Sequence, residues 1–223
     1  MSAPELVIER TKKWITEVVI GCNFCPFAAN VVKRQAIYYQ VEESVDLKIC
    51  LDSFLSLVKR MDDDPTIETS FLIFPDTFHE FDDYLDLVAL SEKLLKQKGY
   101  EGIYQVASFH PLYLFEGSGE DDAANYTNRS VYPMLHLLRE ESIDRALENY
   151  KDPEGIPERN IQFTRGKRFG LYEDAEGFFI NLNTSLRSQF CLFHFEFFYS
   201  LLSHFQIFKL SNLHIVILFS FLY

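Results

Sequence analysis

No run of lysines or arginines and no arginine-rich stripe occurs anywhere in the 223 residues, whose formal net charge is −12. Such a field repels phosphate backbones and argues against nucleic acid as a partner. Cysteine is scarce: Cys22, Cys25, Cys50 and Cys191 are the full set, and nothing in their arrangement suggests a secreted disulfide framework. Residues 1–13 hold no apolar stretch preceded by basic residues, so no ordinary secretory signal is expected. Reduced thiols in a cytoplasmic compartment follow as the expectation. The sequons Asn125-Tyr126-Thr127 and Asn128-Arg129-Ser130 then carry no weight. What is present is ordinary for a globular protein: 48% apolar and 24% charged residues, in a chain long enough to bury a core without staples.

The chain is organised around Gly21-Cys22-Asn23-Phe24-Cys25-Pro26-Phe27-Ala28. Before it, residues 5–20 read as an amphipathic helix with Val7, Thr11, Trp14 and Val18 on one stripe and Ile8, Ile15 and Val19 beside it. Gly21 is placed to end that helix in a left-handed conformation. Pro26 suits the first position of a second helix over residues 26–34, which sets Cys25 at its N-cap.

Residues 35–41, 67–74 and 102–108 read as strands. Between them fall a helix from Ser44 as N-cap to Met61 and a second from the Thr77/Glu80 capping-box spacing to about Lys98, ended by Gly99. The first of these should bury Ile49, Cys50, Phe54, Leu57, Val58 and Met61. Residues 132–139 and 142–150 read as two short helices. The strand–helix rhythm implies a single α/β domain over about residues 5–165, with a mostly parallel sheet of at least three strands flanked by helices.

Near residue 185 the composition changes. Residues 185–223 contain nine Phe and no Gly, Ala, Pro, Asp or Thr, with only Arg187, Glu196 and Lys209 charged. A membrane-associated tail is one reading. However, residues 210–223 are shorter than the roughly 20 apolar residues a span needs, and residues 189–208 hold Glu196, costly at mid-bilayer. The favoured reading is a segment that is not a selected protein sequence, a gene-model artefact outside the fold. A membrane partner is therefore not expected unless this tail is genuine.

Several stretches carry a resemblance. They are Trp14-Ile15-Thr16-Glu17-Val18-Val19-Ile20-Gly21 with Asn23-Phe24-Cys25-Pro26-Phe27-Ala28, Gln105-Val106-Ala107-Ser108-Phe109-His110-Pro111, Asn125-Tyr126-Thr127-Asn128-Arg129-Ser130 with Tyr132-Pro133-Met134-Leu135-His136-Leu137-Leu138-Arg139-Glu140, and Ile156-Pro157-Glu158-Arg159-Asn160-Ile161. In this order they resemble the family catalogued as domain of unknown function 1415, over about residues 11–161. The resemblance implies a soluble intracellular protein and leaves the function open. Cys22 departs from the family pattern, where its position is usually apolar, so Cys25 is the typical cysteine.

The candidate chemistry centres on Cys25. A thiol at a helix N-cap is biased toward thiolate, and a nucleophile needs a base such as His110 or His136. The competing reading is a buried, inert cysteine. Cys22 and Cys25 as a redox pair are disfavoured because a helix, not a strand, precedes them. No metal set is indicated, and no cofactor is named by the pattern. His110 lies at a strand end and is followed by the long segment bearing Glu116, Asp121 and Asp122, where sites collect in open sheets. Arg129 and Asn128 precede a short helix and could hold an anionic group, although in an acidic protein the favoured reading for Arg129 is pairing with Asp121, Asp122 or Glu158 to tie the irregular segment down. His136 and Arg139, three apart, would share a helix face.

The leading expectation is a small-molecule enzyme. Cys25 would be nucleophile or redox thiol, His110 its base and His136 nearby, with Arg129, Asn128, Asp121 and Asp122 binding and orienting an anionic small molecule. The alternative is a non-catalytic module that binds a metabolite or a protein, with Cys25 structural.

Overall fold

The structure is a computed structural model that describes residues 3–148, 150–167, 170–174 and 177–181. Cys191 and the tail over 185–223 lie outside the described residues. Helix α1 spans Ala3–Trp14 and widens without a break into a π-helical stretch over Ile15–Ile20. Then come α2 (Ala28–Lys33), β1 (Ile37–Val41), α3 (Leu47–Asp63), β2 (Thr69–Ile73), α4 (Phe81–Gln97) and β3 (Tyr104–Phe109). A short 3-10 helix over Ala123–Thr127 precedes β4 (Met134–Arg139), α5 (Glu140–Leu147) and α6 (Ile156–Lys167). Strands β5 (Gly170–Asp174) and β6 (Gly177–Asn181) pair antiparallel as a separate hairpin.

The main sheet has four strands in the order β1-β2-β4-β3. β1 and β2 are parallel, joined by α3 as a crossover, but β4 runs antiparallel to both β2 and β3. The expected mostly parallel sheet is therefore corrected to a mixed sheet with one parallel and two antiparallel pairings. The three expected strands do run in one direction. The chain returns after the long loop and threads β4 between β2 and β3, converting their neighbourhood to antiparallel. The cause is residues 132–139, expected as a helix. Met134-Leu135-His136-Leu137-Leu138-Arg139 has no β-branched residue and reads locally as helix. It is a strand because both its faces are covered.

Alternation across the sheet divides the core in two. Phe71, Ile73, Phe109, Met134 and Leu138 pack with Val7, Trp14, Ile15, Val18 and Val19 of the first helix and with Ile143 and Ile156. On the other face Leu72, Phe74, Val106, Leu135 and Leu137 meet Phe54, Leu57, Val58 and Met61 of α3 and Tyr84, Leu87, Val88 and Leu95 of α4. His136 and Arg139 are thus on opposite faces of a strand, not together on a helix face, because side chains three apart in a strand alternate. Tyr84, fully buried, joins the layers: its hydroxyl donates to the Met134 carbonyl at 2.8 Å and accepts the Phe109 amide at 2.9 Å.

Local signals fared unevenly. Gly99 takes the left-handed conformation after α4, with φ +79°, as its position requires. Gly21 does not: its φ is −60°, and Asn23, at φ 55°, makes the left-handed step. Gly21 is needed for another reason. A Cβ there would lie 2.1 Å from the Glu17 carbonyl oxygen, since the widened turn brings backbone against backbone. The cap of α3 is Asp46, whose carboxylate accepts from the Lys48 and Ile49 amides at 2.8 and 3.1 Å, while the Ser44 hydroxyl accepts from the Asp46 amide outside the helix. Ile49, expected in the buried face, points outward, 49% exposed, because it lies beside the stripe of Cys50, Phe54, Leu57, Val58 and Met61 and shares a face with Ser53 and Ser56. Glu80 occupies the N-cap of α4 without a side-chain cap bond, so the capping box is not formed.

Candidate functional site

A cavity of about 290 Å³ opens on the sheet face that carries Phe71, Phe109 and His136. Trp14, Ile15 and Val19 wall it on one side, Cys25, Phe27, Ala28 and Val31 on another, and Ser142, Ile143 and Ala146 of α5 on a third. Its size is at the lower end for small-molecule sites, and its wall is largely apolar with a few polar groups, as such sites are.

His136 is the polar group at its floor. Its register partners are Phe71 on β2 and Ala107 on β3. The ring stacks on Phe71, centroids 4.1 Å apart and planes 6° from parallel, and lies 5.9 Å from Phe109. Its Nε2 is 2.6 Å from the Thr69 hydroxyl oxygen, which in turn lies 2.8 Å from the Leu137 carbonyl. A carbonyl only accepts, so the single hydroxyl proton of Thr69 goes to Leu137 and the hydroxyl oxygen accepts from Nε2–H. The ring is then the Nε2-protonated tautomer, and Nδ1 carries a bare lone pair. Nδ1 is shielded from solvent and has no hydrogen-bond partner. Burial drives the imidazole pKa from 6.5 down to about 3, because the charged ring is poorly solvated there.

Cys25 stands in the facing wall on a turn held from a distance in sequence. Arg159 Nη2 donates to the Asn23 carbonyl at 2.6 Å, and the buried Asn160 donates its amide to the Phe24 carbonyl at 2.8 Å. The first and last of the stretches that carried the family resemblance therefore bind one another. Helix α2 begins at Ala28 with Phe27 as N-cap, two residues later than expected, so Cys25 is not the N-cap residue. The Phe27 and Ala28 amides nevertheless favour its thiolate, and the Ala28 amide donates to the Cys25 carbonyl at 3.3 Å. Burial outweighs those donors and the nearby Arg159 charge, and the thiol pKa is raised above its ordinary value. Cys22, Cys25 and Cys50 are free thiols, and Cys22 packs into the core.

The remaining sequence-predicted site residues lie elsewhere, in the irregular segment, and none of them lines the cavity. His110 follows β3 as expected but is fully buried. The Leu112 amide donates to its Nδ1 at 3.0 Å, so its Nε2–H donates to the Phe78 carbonyl at 2.8 Å. Burial lowers its pKa as well. Asn128, also fully buried, donates to the Ser108 carbonyl at 3.4 Å and accepts from the Thr127 hydroxyl at 3.0 Å. Arg129 ties the segment down: it donates to the Tyr113 and Glu120 carbonyls at 3.2 and 2.9 Å and covers the Tyr126 ring at 4.6 Å. No helix follows Ser130, whose hydroxyl bonds the Tyr132 carbonyl. Asp122 caps the 3-10 helix and pairs with Arg165 at 2.7 Å, whose hydrogen bonds hold its carboxyl below the usual range. Asp121 and Glu116 are exposed. Among the described residues no three His, Cys, Asp or Glu side chains are grouped to hold a metal ion.

Two of the expected residues, Cys25 and His136, thus share one cavity. Thr69, Phe71, Trp14 and the α5 wall were not singled out as site residues. Trp14, Ile15 and Val19 were legible as an apolar stripe, but a stripe that lines a cavity and one that fills a core have the same period. No hydrogen bond joins the Cys25 thiol to either imidazole among the described residues. No described helix is long and apolar enough to cross a membrane. The family model described as Protein of unknown function (DUF1415) matches residues 6–171, and the chain belongs to that family. No curated protein and no solved structure matches it.

Proposed function

We propose that this member of the DUF1415 family binds a small, largely apolar molecule in the cavity over His136 and receives a hydrogen-bond donor of that molecule on Nδ1. The observations that carry this are a largely apolar cavity lined by His136 and a buried Nδ1 lone pair on that ring that no group of the protein engages. A buried acceptor left unmade costs about 1–3 kcal/mol, which a hydroxyl or amide N–H of a ligand recovers. The cytoplasmic setting argued from the sequence stays part of the proposal.

A thiol–imidazole enzyme is the second reading, favoured by the presence of Cys25 and His136 in the same cavity wall. The electrostatics support it less. A thiolate–imidazolium pair needs the thiol to be the stronger acid, whereas burial raises the Cys25 pKa and lowers that of His136 to about 3. Both shifts keep both groups neutral. His110, with both ring nitrogens engaged, is not part of either reading.

The sole tryptophan, Trp14, lines the cavity and provides the reporter. Titration with p-cresol should saturate its fluorescence change, and 4-methylanisole, which lacks the donor, should bind about fivefold more weakly. His136→Phe should erase that preference. Ala146→Phe, which fills the cavity, should abolish both responses. Absence of saturable binding by either probe contradicts the proposal.

A further inference from the structure

The charged side chains around the cavity are unlike those of the protein as a whole. Arg34 and Arg145 stand in its wall with one carboxylate, Glu68, in a chain of net charge −12; Arg139 borders it too, but its guanidinium is held across the sheet. Arg34 ends α2; it donates to the Asn30 carbonyl at 3.3 Å and to Glu68 at 2.7 Å, with its side chain 54% exposed. Arg145 on α5 meets Glu141 at 3.0 Å and is 59% exposed. Arg139 is fixed at the end of β4 by the Met61 carbonyl at 2.6 Å and the Tyr104 hydroxyl at 3.1 Å, and its buried Nε has no partner. Ser142 and Asn30 add neutral polar groups to the same wall.

We infer that the ligand of this cavity is an amphipathic carboxylate, whose apolar body lies over His136 and Phe71 and whose anionic end meets the guanidinium groups of Arg34 and Arg145. The inference rests on the binding role proposed above and names its ligand class. Guanidinium forks match carboxylates in planar geometry. Each of the two exposed arginines already shares its charge with one side-chain carboxylate, and Glu68 stands in the wall itself. With those pairs formed, one further carboxylate can use guanidinium N–H donors that the pairs leave over, whereas a dianionic phosphate would bring more charge against Glu68. A cationic ligand is disfavoured by the guanidinium groups of Arg34 and Arg145 in the wall.

Three probes share a phenol body and differ only at the far end: p-cresol is neutral, 4-hydroxyphenylacetate anionic and tyramine cationic. Titrated calorimetrically into the full chain at low salt, 4-hydroxyphenylacetate should bind about fivefold tighter than p-cresol, and tyramine more weakly than either. The anion's advantage should shrink at high salt. Arg145→Gln should reduce the anion's advantage over p-cresol, both probes being measured on the same variant; Arg34→Gln is the second variant. If p-cresol binds and the anion gains nothing over it, the carboxylate inference is overturned and the cavity's binding role stands. If none of the three binds, both fall together.

Discussion

At the scale of single residues, the protein is distinguished by an imidazole that is kept neutral and half-engaged. His136 gives its proton to Thr69 and leaves Nδ1 without a partner. The pKa of about 3 makes this a stability statement. The unfolded chain takes up a proton as pH falls through 6.5, while the native ring does not. The contribution is fully present above pH 6.5 and is lost progressively down to about pH 3. Between pH 7 and pH 5 the loss from this residue should be about 2 kcal/mol, read as a falling urea midpoint. His136→Phe should flatten that part of the slope, though His110, lowered in the same direction, keeps some of it. An unchanged slope contradicts the buried neutral ring. Cys25 has a parallel test. With its thiol raised by burial, it should react with iodoacetamide at pH 7 more slowly than free cysteine, and its rate should still be rising above pH 9. Faster reaction at neutral pH favours the enzyme reading.

At the scale of elements, the turn from Gly21 to Ala28 is shaped by a widened helix before it and by α6 behind it. Gly21→Ala places a methyl against the Glu17 carbonyl, a backbone clash with no flexible atom to yield. It should destabilise the protein by about 1–3 kcal/mol in thermal or urea unfolding. Asn160→Ala leaves the Phe24 carbonyl without its donor, at a similar cost, and should raise the alkylation rate of Cys25 by loosening the turn. These contacts explain why some elements were legible and others not. The faces of α3 and α4 showed in the sequence because each buries one stripe: Phe54, Leu57, Val58 and Met61 repeat at helical spacing. The Gly99 stop was legible because it is a property of one residue's backbone. By contrast, β4 could not be read from its own residues: Leu, Met, His and Arg favour a helix, and only pairing with β2 and β3 makes it a strand. The π-helical widening over Ile15–Ile20 has no local signature; it shows as the unexpected φ of Gly21 and the shifted start of α2.

At the scale of the whole molecule, the cavity is a consequence of the topology. Inserting β4 places His136 in the middle of the sheet between Phe71 and Ala107. Because α5 follows β4 without a loop, it folds back and supplies the third wall. The sequence directed attention to Cys25 through the Gly21–Ala28 turn and to His136 as a candidate base for it. It misplaced His110, Asn128, Arg129 and Asp122 into the same site because chain proximity to a strand end looks alike whether the residue faces a cavity or anchors a loop. Here the imidazole of His110 is engaged by the Phe78 carbonyl and the Leu112 amide, and the guanidinium of Arg129 by carbonyls of the irregular segment. The central claim, that Nδ1 of His136 is a vacant acceptor used by a ligand, is tested most directly by nitrogen NMR of the histidine side chains during a p-cresol titration. In the free protein His136 should be the Nε2-protonated tautomer with an unbonded Nδ1. Saturation should move the Nδ1 resonance in the direction of hydrogen bonding, while both nitrogens of His110 stay fixed as the internal reference. Saturable binding that leaves Nδ1 of His136 unmoved, or a free protein with that nitrogen already protonated, contradicts the account.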